Sequence, residues 1–451
     1  MRARILATLI VVFSAAALTC APPPDRGGPT LSSPSGVDSE ITAFIGKIRA
    51  VDNHSHANSV DPSDSDQDAL PLEVILPFEV PVQLRPDNPI WMAAYKALYA
   101  YPHADLSDEH LKALRDAMQR AREEQGDNFA AWALDQVGTH VLLANRIAMG
   151  RGLTPPRFRW VSYVDALMLP LSTKAEGAAS PDRRKLFPLE EKLLRRYLSD
   201  LKVERLPSTL EAYLGRVVTP TLEAQRRDGC VAVKFEAALL RSLDFAEASE
   251  EAAARIYAKH VFAGEPSKAD YKLLQDFLFR YIAREAGRLG MAVHIHSFDG
   301  PGNFFVAAGA DPLLLEPMLN DAALRATDFV IVHGGGAYAA HAGSMLWKPN
   351  VYVDTSAMAL LYTPRKLSEV LRDWLTLYPE KVLFGTDAAA LGPDLGWEVS
   401  AWVATRNARE ALAMALTNMM RDGEVSRPRA EEIATMVMRE NAGKLYKLDL
   451  Q

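Results

Sequence analysis

The chain has 451 residues, of which 49% are hydrophobic and 24% are charged. This is the composition of a globular protein with enough apolar material for a sizeable core. The formal net charge of −7 excludes the basic surface typical of nucleic-acid-binding proteins, so no nucleic-acid partner is expected.

The first twenty residues have the layout of a secretory signal peptide. Arg2 and Arg4 precede an almost wholly apolar run at 5–18, which is too short for a comfortable membrane span. Cys20 follows small residues, so both a lipoprotein attached to the membrane through Cys20 and a freely secreted form stay open. Residues 21–40 are interpreted as a flexible tether and 41–451 as the folded domain. An exported bacterial protein, periplasmic, lipid-anchored or secreted, is the expectation.

Cysteine usage is sparse in the part of the chain that would remain after export. Cys230 would then stand alone, which argues against an intramolecular disulfide and against a cysteine metal cluster. Because Cys230 opens an apolar run, we expect a buried and inert core thiol.

Eight short apolar runs alternate with longer segments whose apolar residues recur at helical spacing. Short β-branched runs of this kind are typical of parallel strands buried on both faces. The alternation predicts a (β/α)8 TIM barrel, although an open doubly wound sheet uses the same order of elements. The runs lie at 50–51, 141–143, 160–164, 231–233, 292–295, 329–332, 351–353 and 382–384.

Two stretches are too long for the bare strand–helix cycle. Residues 58–129 follow the first strand and 166–207 follow the third, and both have mainly helical patterns. Insertions after barrel strands lie on the face where active sites form, so we interpret both as lids or pocket walls. For the second, surface decoration is nearly as good an explanation.

Metal-ligand residue types collect where the predicted strands end. His54 and His56, two residues apart, are expected to project side by side, and paired neutral imidazoles suit Zn²⁺ or a similar ion. Such residues could converge only in a closed barrel, because the first and eighth strands would be far apart in an open sheet. The other strand ends carry Lys234, His294, His296, His333 and Asp387.

These residues, together with four short motifs, make the chain resemble the amidohydrolase superfamily. The motifs are His-Ser-Phe-Asp-Gly at 296–300, Val-His-Gly-Gly at 332–335, Leu-Phe-Gly-Thr-Asp at 383–387 and Glu-Asn-Ala-Gly-Lys-Leu-Tyr at 440–446. The closer likeness is to the amidohydrolase-related branch. That branch contains the aminocarboxymuconate-semialdehyde decarboxylase type and the hydrolase-like domain fused to glutamine synthetases. The resemblance covers roughly 48–448.

The resemblance implies a set of site residues. His54, His56, His296 and Asp387 would bind a divalent metal, with Zn²⁺ expected and Mn²⁺ the alternative. His333 would polarise the reacting group or bind a second ion, and Asp387 would also transfer protons. Lys234 has two open roles, either a carboxylated lysine that bridges two metals or a contact to an anionic substrate.

Two residues near these positions are expected to play supporting roles. His294 lies two before His296 and would sit deeper in the barrel as a structural histidine. Asp52 lies two before His54 and would either orient a ligand histidine by a hydrogen bond or act as a simple buried cap.

The leading hypothesis is hydrolysis of an amide, lactone or related ester of a small molecule by metal-bound hydroxide. Non-oxidative decarboxylation of a small carboxylic acid is the alternative, because the same branch performs it. A third hypothesis, uronate-type isomerisation, fits the scaffold but has no sequence feature of its own. A metal-containing binding module without catalysis is disfavoured by the complete set of histidines and Asp387. The substrate and the oligomeric state stay open, including a homo-oligomer.

Overall fold

The computed structural model describes residues 36–450 except 72–73, 75–78, 179–181 and 299–303. The predicted signal peptide, Cys20 and most of the predicted tether lie outside these residues. The eight strands are β1 (Ala50–Ser55), β2 (Thr139–Asn145), β3 (Phe158–Tyr163), β4 (Cys230–Phe235), β5 (Ala292–His296), β6 (Phe329–Val332), β7 (Val351–Asp354) and β8 (Val382–Leu383).

The strands form one parallel sheet in the order β1 to β8. The two edges meet through backbone hydrogen bonds between the end of β1 and the segment after β8. The amide of Asn53 donates to the carbonyl of Phe384 at 2.9 Å, and the amide of Asp387 donates to the carbonyl of His54 at 2.8 Å. The predicted barrel is therefore confirmed, and the open doubly wound sheet is excluded.

The inside of the barrel is filled by side chains from alternating strand positions. They form a small apolar cluster in the first halves of the strands, which includes Val51, Val141 and Val330. Tyr446, which directly follows the C-terminal helix, packs in this cluster, so the N-terminal end of the barrel is closed. The opposite, C-terminal end is where the polar strand ends meet.

Helices surround the barrel and form the insertions. They are α1 (Ser39–Lys47), α2 (Pro89–Tyr99), α3 (Asp108–Gln125), α4 (Phe129–Val137), α5 (Asp165–Met168), α6 (Lys174–Ala178), α7 (Phe187–Asp200), α8 (Leu210–Tyr213), α9 (Thr219–Arg227), α10 (Ala237–Leu240), α11 (Glu250–His260), α12 (Lys268–Arg288), α13 (Glu316–Leu319), α14 (Ala339–Met345), α15 (Met358–Leu361), α16 (Pro364–Leu375), α17 (Trp397–Arg421), α18 (Arg427–Thr435) and α19 (Asn441–Leu445).

Helix α16 shows how local sequence sets these elements. The Thr363 side chain accepts a hydrogen bond from the amide of Lys366, and Pro364 occupies the first turn, where no amide donor is needed. Leu367, Leu371 and Trp374 are buried along one side at helical spacing. The helix therefore begins at a defined cap and packs its apolar stripe against neighbouring helices, chiefly α17.

The predicted helical insertions after strands 1 and 3 are confirmed. Helices α2 and α3 form the first, and α5 to α7 form the second. In the first, the Tyr99 hydroxyl donates to Glu398 at 2.6 Å, and Arg115 forms an ion pair with Asp394. Both partners follow β8, so this insertion lies against the C-terminal rim beside Asp387.

Cys230 is buried in the core, and burial raises the pKa of its thiol to about 12. The thiol therefore stays protonated and unreactive at neutral pH, as the sequence predicts. Across the described ranges, every helix is either too short or too polar to cross a membrane.

Candidate metal centre

The end of β1 presents two histidines to one carboxylate. The pairing of β1 with β2 shifts register between Asp52 and Ser55, which interrupts the regular strand. His54 Nε2 lies 3.1 Å from Asp387 Oδ1, and His56 Nε2 lies 3.2 Å from the same oxygen. Closure of the barrel between strands 1 and 8 therefore brings His54 and His56 into one cluster with Asp387. At least 331 positions separate these histidines from Asp387 in the sequence.

Asp387 occupies a strained backbone position with a charge suited to binding a cation. Its φ of 58° is in the left-handed region, which non-glycine residues seldom adopt outside functional sites. Burial opposes ionisation of Asp387, but the imidazoles of His333, His54 and His56 together hold its pKa well below the usual range. Asp387 is therefore an ionised carboxylate that can accept a proton or a metal ion.

His333 shares this strain and lies across the cluster. Its φ is 67°, and Gly334 follows at 55°, where a Cβ would lie 2.3 Å from Trp374. His333 Nδ1 lies 2.9 Å from the Ser356 hydroxyl. One ligand atom each from His54, His333 and Asp387 lie within 4.8 Å of one another, the one such group among the described residues. His333 is thus placed at least as centrally as His56.

His296 contacts the cluster through one ring nitrogen and has no hydrogen-bond partner at the other. His333 Nε2 lies 3.1 Å from His296 Nδ1, while His296 Nε2 is buried without a hydrogen-bond partner. Burial and then the Lys234 ammonium lower the pKa of His296 to about 3. A neutral imidazole with a buried, unsatisfied nitrogen is costly unless something binds it.

The donor set fits a divalent metal ion of the Zn²⁺ type. Three buried imidazoles, those of His54, His296 and His333, have pKa values lowered chiefly by burial and are therefore neutral. Neutral imidazoles beside one ionised carboxylate match the ligand preferences of Zn²⁺ and related ions. The unpartnered Nε2 of His296 is consistent with that use.

Lys234 lies at the same centre. Its Nζ is 3.3 Å from His54 Nε2, and the side chain is 1% exposed. Burial lowers the pKa of Lys234, while the carboxylates of Glu236 and Asp387 oppose that shift. Both predicted roles are compatible with this place, so the carboxylated lysine and the substrate contact stay predictions.

His294 lies deeper in the barrel than His296. Its Nε2 is 2.7 Å from the hydroxyl of Tyr446, the residue that closes the N-terminal end. Burial lowers the pKa of His294 to about 3, so the ring is neutral. The contact with Tyr446 gives His294 a structural place below the cluster.

Asp52 does not orient a histidine ring. Its carboxylate accepts from the backbone amide of His54 at 3.2 Å and from the Thr386 hydroxyl at 2.5 Å. The expected ring contact is therefore wrong, and the alternative, a buried cap, holds. The reason is the register shift after Asp52, which directs its side chain toward the segment after β8 instead of beneath the His54 ring.

Sequence reasoning missed the partner of His56. Asp68 Oδ2 lies 3.4 Å from His56 Nδ1, and the Tyr163 hydroxyl lies 3.1 Å from the same nitrogen. Burial opposes protonation, but Asp68 and Asp387 together raise the pKa of His56 to about 10. Tyr163 lies in the third apolar run and could have been suspected, whereas Asp68 lies inside an insertion with no periodic signal.

A second set of carboxyls beside the centre was also missed. Asp165, Glu190 and Glu236 are at most 4% exposed, and each has a carboxylate oxygen without a hydrogen-bond partner. The backbone amide of Glu236 donates to Asp165 at 2.7 Å. Burial raises the pKa of all three, that of Asp165 to about 7. The position of Glu236, two residues after Lys234, was the available signal.

A closed barrel with histidines and an aspartate at its C-terminal rim defines an enzyme of the amidohydrolase superfamily. Residues 218–448, slightly more than half of the chain, match the family model described as Amidohydrolase, and the chain belongs to this family. The match includes Lys234, His296, His333 and Asp387, whereas His54 and His56 precede it.

One curated relative is Protein fluG of Emericella nidulans, which is 27% identical over 126 residues. That alignment spans 28% of this chain and 14% of the relative, so most of the relative has no counterpart here.

Three solved structures share the fold. A protein assigned as a metal-dependent hydrolase from Lactobacillus casei is 17% identical with a TM-score of 0.55, covering 91% of this chain and 98% of that one. Uronate isomerase from Thermotoga maritima is 13% identical with a TM-score of 0.59, covering 92% and 99%. Glucuronate isomerase from Caulobacter crescentus is 13% identical with a TM-score of 0.61, covering 93% and 96%. At these identities the likeness establishes the fold alone.

Proposed function

We propose that this protein is a metal-dependent hydrolase that cleaves an amide, lactone or related ester of a small molecule. The observation that carries the proposal is the approach of His54 Nε2 and His56 Nε2 to a single oxygen of Asp387. Two imidazoles and an ionised carboxylate at one point form a ligand set with no evident structural purpose other than holding a cation.

The ion is proposed to be Zn²⁺, with Mn²⁺ as the alternative, held by His54, His56, His296 and Asp387. When bound, such an ion lowers the pKa of a coordinated water and polarises a substrate carbonyl. The number of ions, one or two, depends on whether His333 and Lys234 also act as ligands.

Asp387 is proposed to accept the proton of the attacking water and to return it to the leaving group. Its ionised carboxylate is 24% exposed, so it is open on the substrate side while its neighbours are buried. Proton transfer of this kind is general acid–base catalysis.

His333 is proposed to polarise the reacting group or to bind a second ion. The Ser356 hydroxyl at Nδ1 holds the ring, and Ser356 in turn donates to Asp354 at 2.6 Å. Because the Ser356 hydroxyl donates its proton to Asp354, the hydrogen of a neutral His333 ring lies on Nδ1, and its Nε2 acts as an acceptor.

Removal of one proposed ligand is expected to abolish metal binding. His54→Ala should abolish stoichiometric metal binding, because it removes a buried nitrogen beside Asp387. The control is His103→Ala, since His103 stacks on His110 in the first insertion. Metal content per chain by mass spectrometry is the measurement. Equal metal in His54→Ala and wild type would contradict the proposed centre.

The same measurement on Lys234→Ala tests the number of ions. A fall from two ions to one supports a bridging, carboxylated Lys234, and an unchanged single ion supports the substrate contact. A panel of amides, lactones and esters, assayed together with CO₂ release from small carboxylic acids, then tests the reaction. Release of CO₂ without hydrolysis would favour the decarboxylase.

We also propose that the chain is exported, and that removal of about the first twenty residues accompanies export. Intact-mass analysis of protein made in a bacterial host should give a mature chain that no longer starts at Met1. If Cys20 carries lipid, Cys20→Ser should move the protein from the membrane fraction to the soluble fraction. A full-length chain in the cytoplasm would contradict export.

A further inference from the structure

The first insertion places the carboxylate of Asp68 in contact with the proposed metal centre. Asp68 Oδ2 lies 3.4 Å from His56 Nδ1, and the side chain of Asp68 is 18% exposed. The opposite nitrogen of the same ring, Nε2, faces Asp387 at 3.2 Å. His56 is therefore placed between two carboxylates, one on each side of its ring.

Two contacts hold Asp66, which lies two residues before Asp68. The backbone amide of Ile147, just after β2, donates to the carbonyl of Asp66 at 2.9 Å. Arg196 of α7, in the second insertion, forms an ion pair with the Asp66 side chain at 2.5 Å. Asp68 also accepts from the amide of Leu70 at 3.1 Å, which fixes its own side chain.

A third group restricts the His56 ring. The Tyr163 hydroxyl at the end of β3 lies 3.1 Å from His56 Nδ1. A metal ion bound at Nε2, beside Asp387, would leave the ring hydrogen on Nδ1, where the Asp68 carboxylate can accept it. This is the tautomer that a ligand histidine needs.

We propose that Asp68 is a positioning residue that fixes the tautomer and orientation of His56 for metal binding, and that the two insertions jointly hold Asp68 in place. The inference rests on the proposed metal centre. Outer partners of ligand histidines typically contribute about 10–100-fold to metal affinity, so a loss of that size is expected without Asp68.

The test is a Zn²⁺ competition titration against a chromophoric chelator. Asp68→Asn should raise the Kd for Zn²⁺ by about 10–100-fold, because an amide oxygen accepts a weaker hydrogen bond than a carboxylate. The matched control is Asp61→Asn, since Asp61 is exposed in the same insertion and bonds Ser63. Its Kd should equal that of the wild type.

A second variant removes a contact of the nearby Asp66 and leaves Asp68 itself unchanged. Arg196→Gln removes the ion pair to Asp66 from a side chain that is 40% exposed, so folding is retained. It should weaken Zn²⁺ binding less than Asp68→Asn does, and the double variant should be no weaker than Asp68→Asn alone. Additive effects would overturn the joint holding of Asp68 by the two insertions.

The outcomes separate this inference from the proposed function. A wild-type chain that binds no Zn²⁺ would contradict the metal centre itself. Tight binding by the wild type with an unchanged Kd in Asp68→Asn would overturn the role of Asp68 alone. Thermal unfolding of the metal-free variants checks that a raised Kd does not reflect a loss of fold.

Discussion

Asp387→Asn is expected to lower kcat/KM by about 10²–10⁴-fold on any true substrate, the effect typical of losing a general acid–base group. The side-chain amide of asparagine can still offer an oxygen to an ion, but it cannot accept the proton of a water molecule. The fold should persist, because the amide of Asp387 bonds to the carbonyl of His54 through the backbone.

Metal content decides how that loss is explained. Asp387→Asn with most of its metal and little activity indicates proton transfer, whereas loss of both indicates a ligand role. Asp394→Asn is a suitable control, since Asp394 also follows β8 but pairs with Arg115. If Asp387→Asn keeps metal and near wild-type turnover, Asp387 is not the base. His333, which also lies in the cluster, would then be the next candidate for the base.

Glu190→Gln is expected to stabilise the protein by an amount that grows with pH. Burial raises the pKa of Glu190 well above its ordinary value, and the nearby carboxylates of Asp165 and Glu236 add to that shift. Above about pH 4.5 the unfolded carboxyl ionises while the folded one keeps its proton, so the native state loses stability. The loss is about 1.4 kcal/mol per pH unit until the pH passes the folded pKa.

Glutamine removes this penalty because it does not ionise. The two proteins should have similar unfolding free energies near pH 4, and the difference between them should widen as the pH rises toward neutral. Urea denaturation at several pH values, at matched metal content, is the measurement. Glu191→Gln serves as control, because the neighbouring Glu191 is 40% exposed and bonds Thr173. A difference that does not change with pH would contradict this account.

Part of the site follows from topology that the sequence already contains. Parallel strands place all their carboxyl ends at one rim, so a histidine or lysine at each strand end predicts a shared centre. His54, His296, Lys234, His333 and Asp387 could be brought together on that ground alone. The structure adds distances to this set, and the metal and the role of each residue stay predictions.

The sequence by itself determined the barrel, its two helical insertions and the residues at the C-terminal rim, because strand periodicity and strand-end residues are local properties. Only the tertiary structure decided which groups surround them. The register shift after Asp52 could not be predicted, since it depends on pairing with β2 and closure against the segment after β8. The approach of Asp68 to His56, and of Glu190 to Asp165, depends on how the insertions fold back over the rim. Such contacts arise from packing between distant segments, and no periodicity within either segment encodes them.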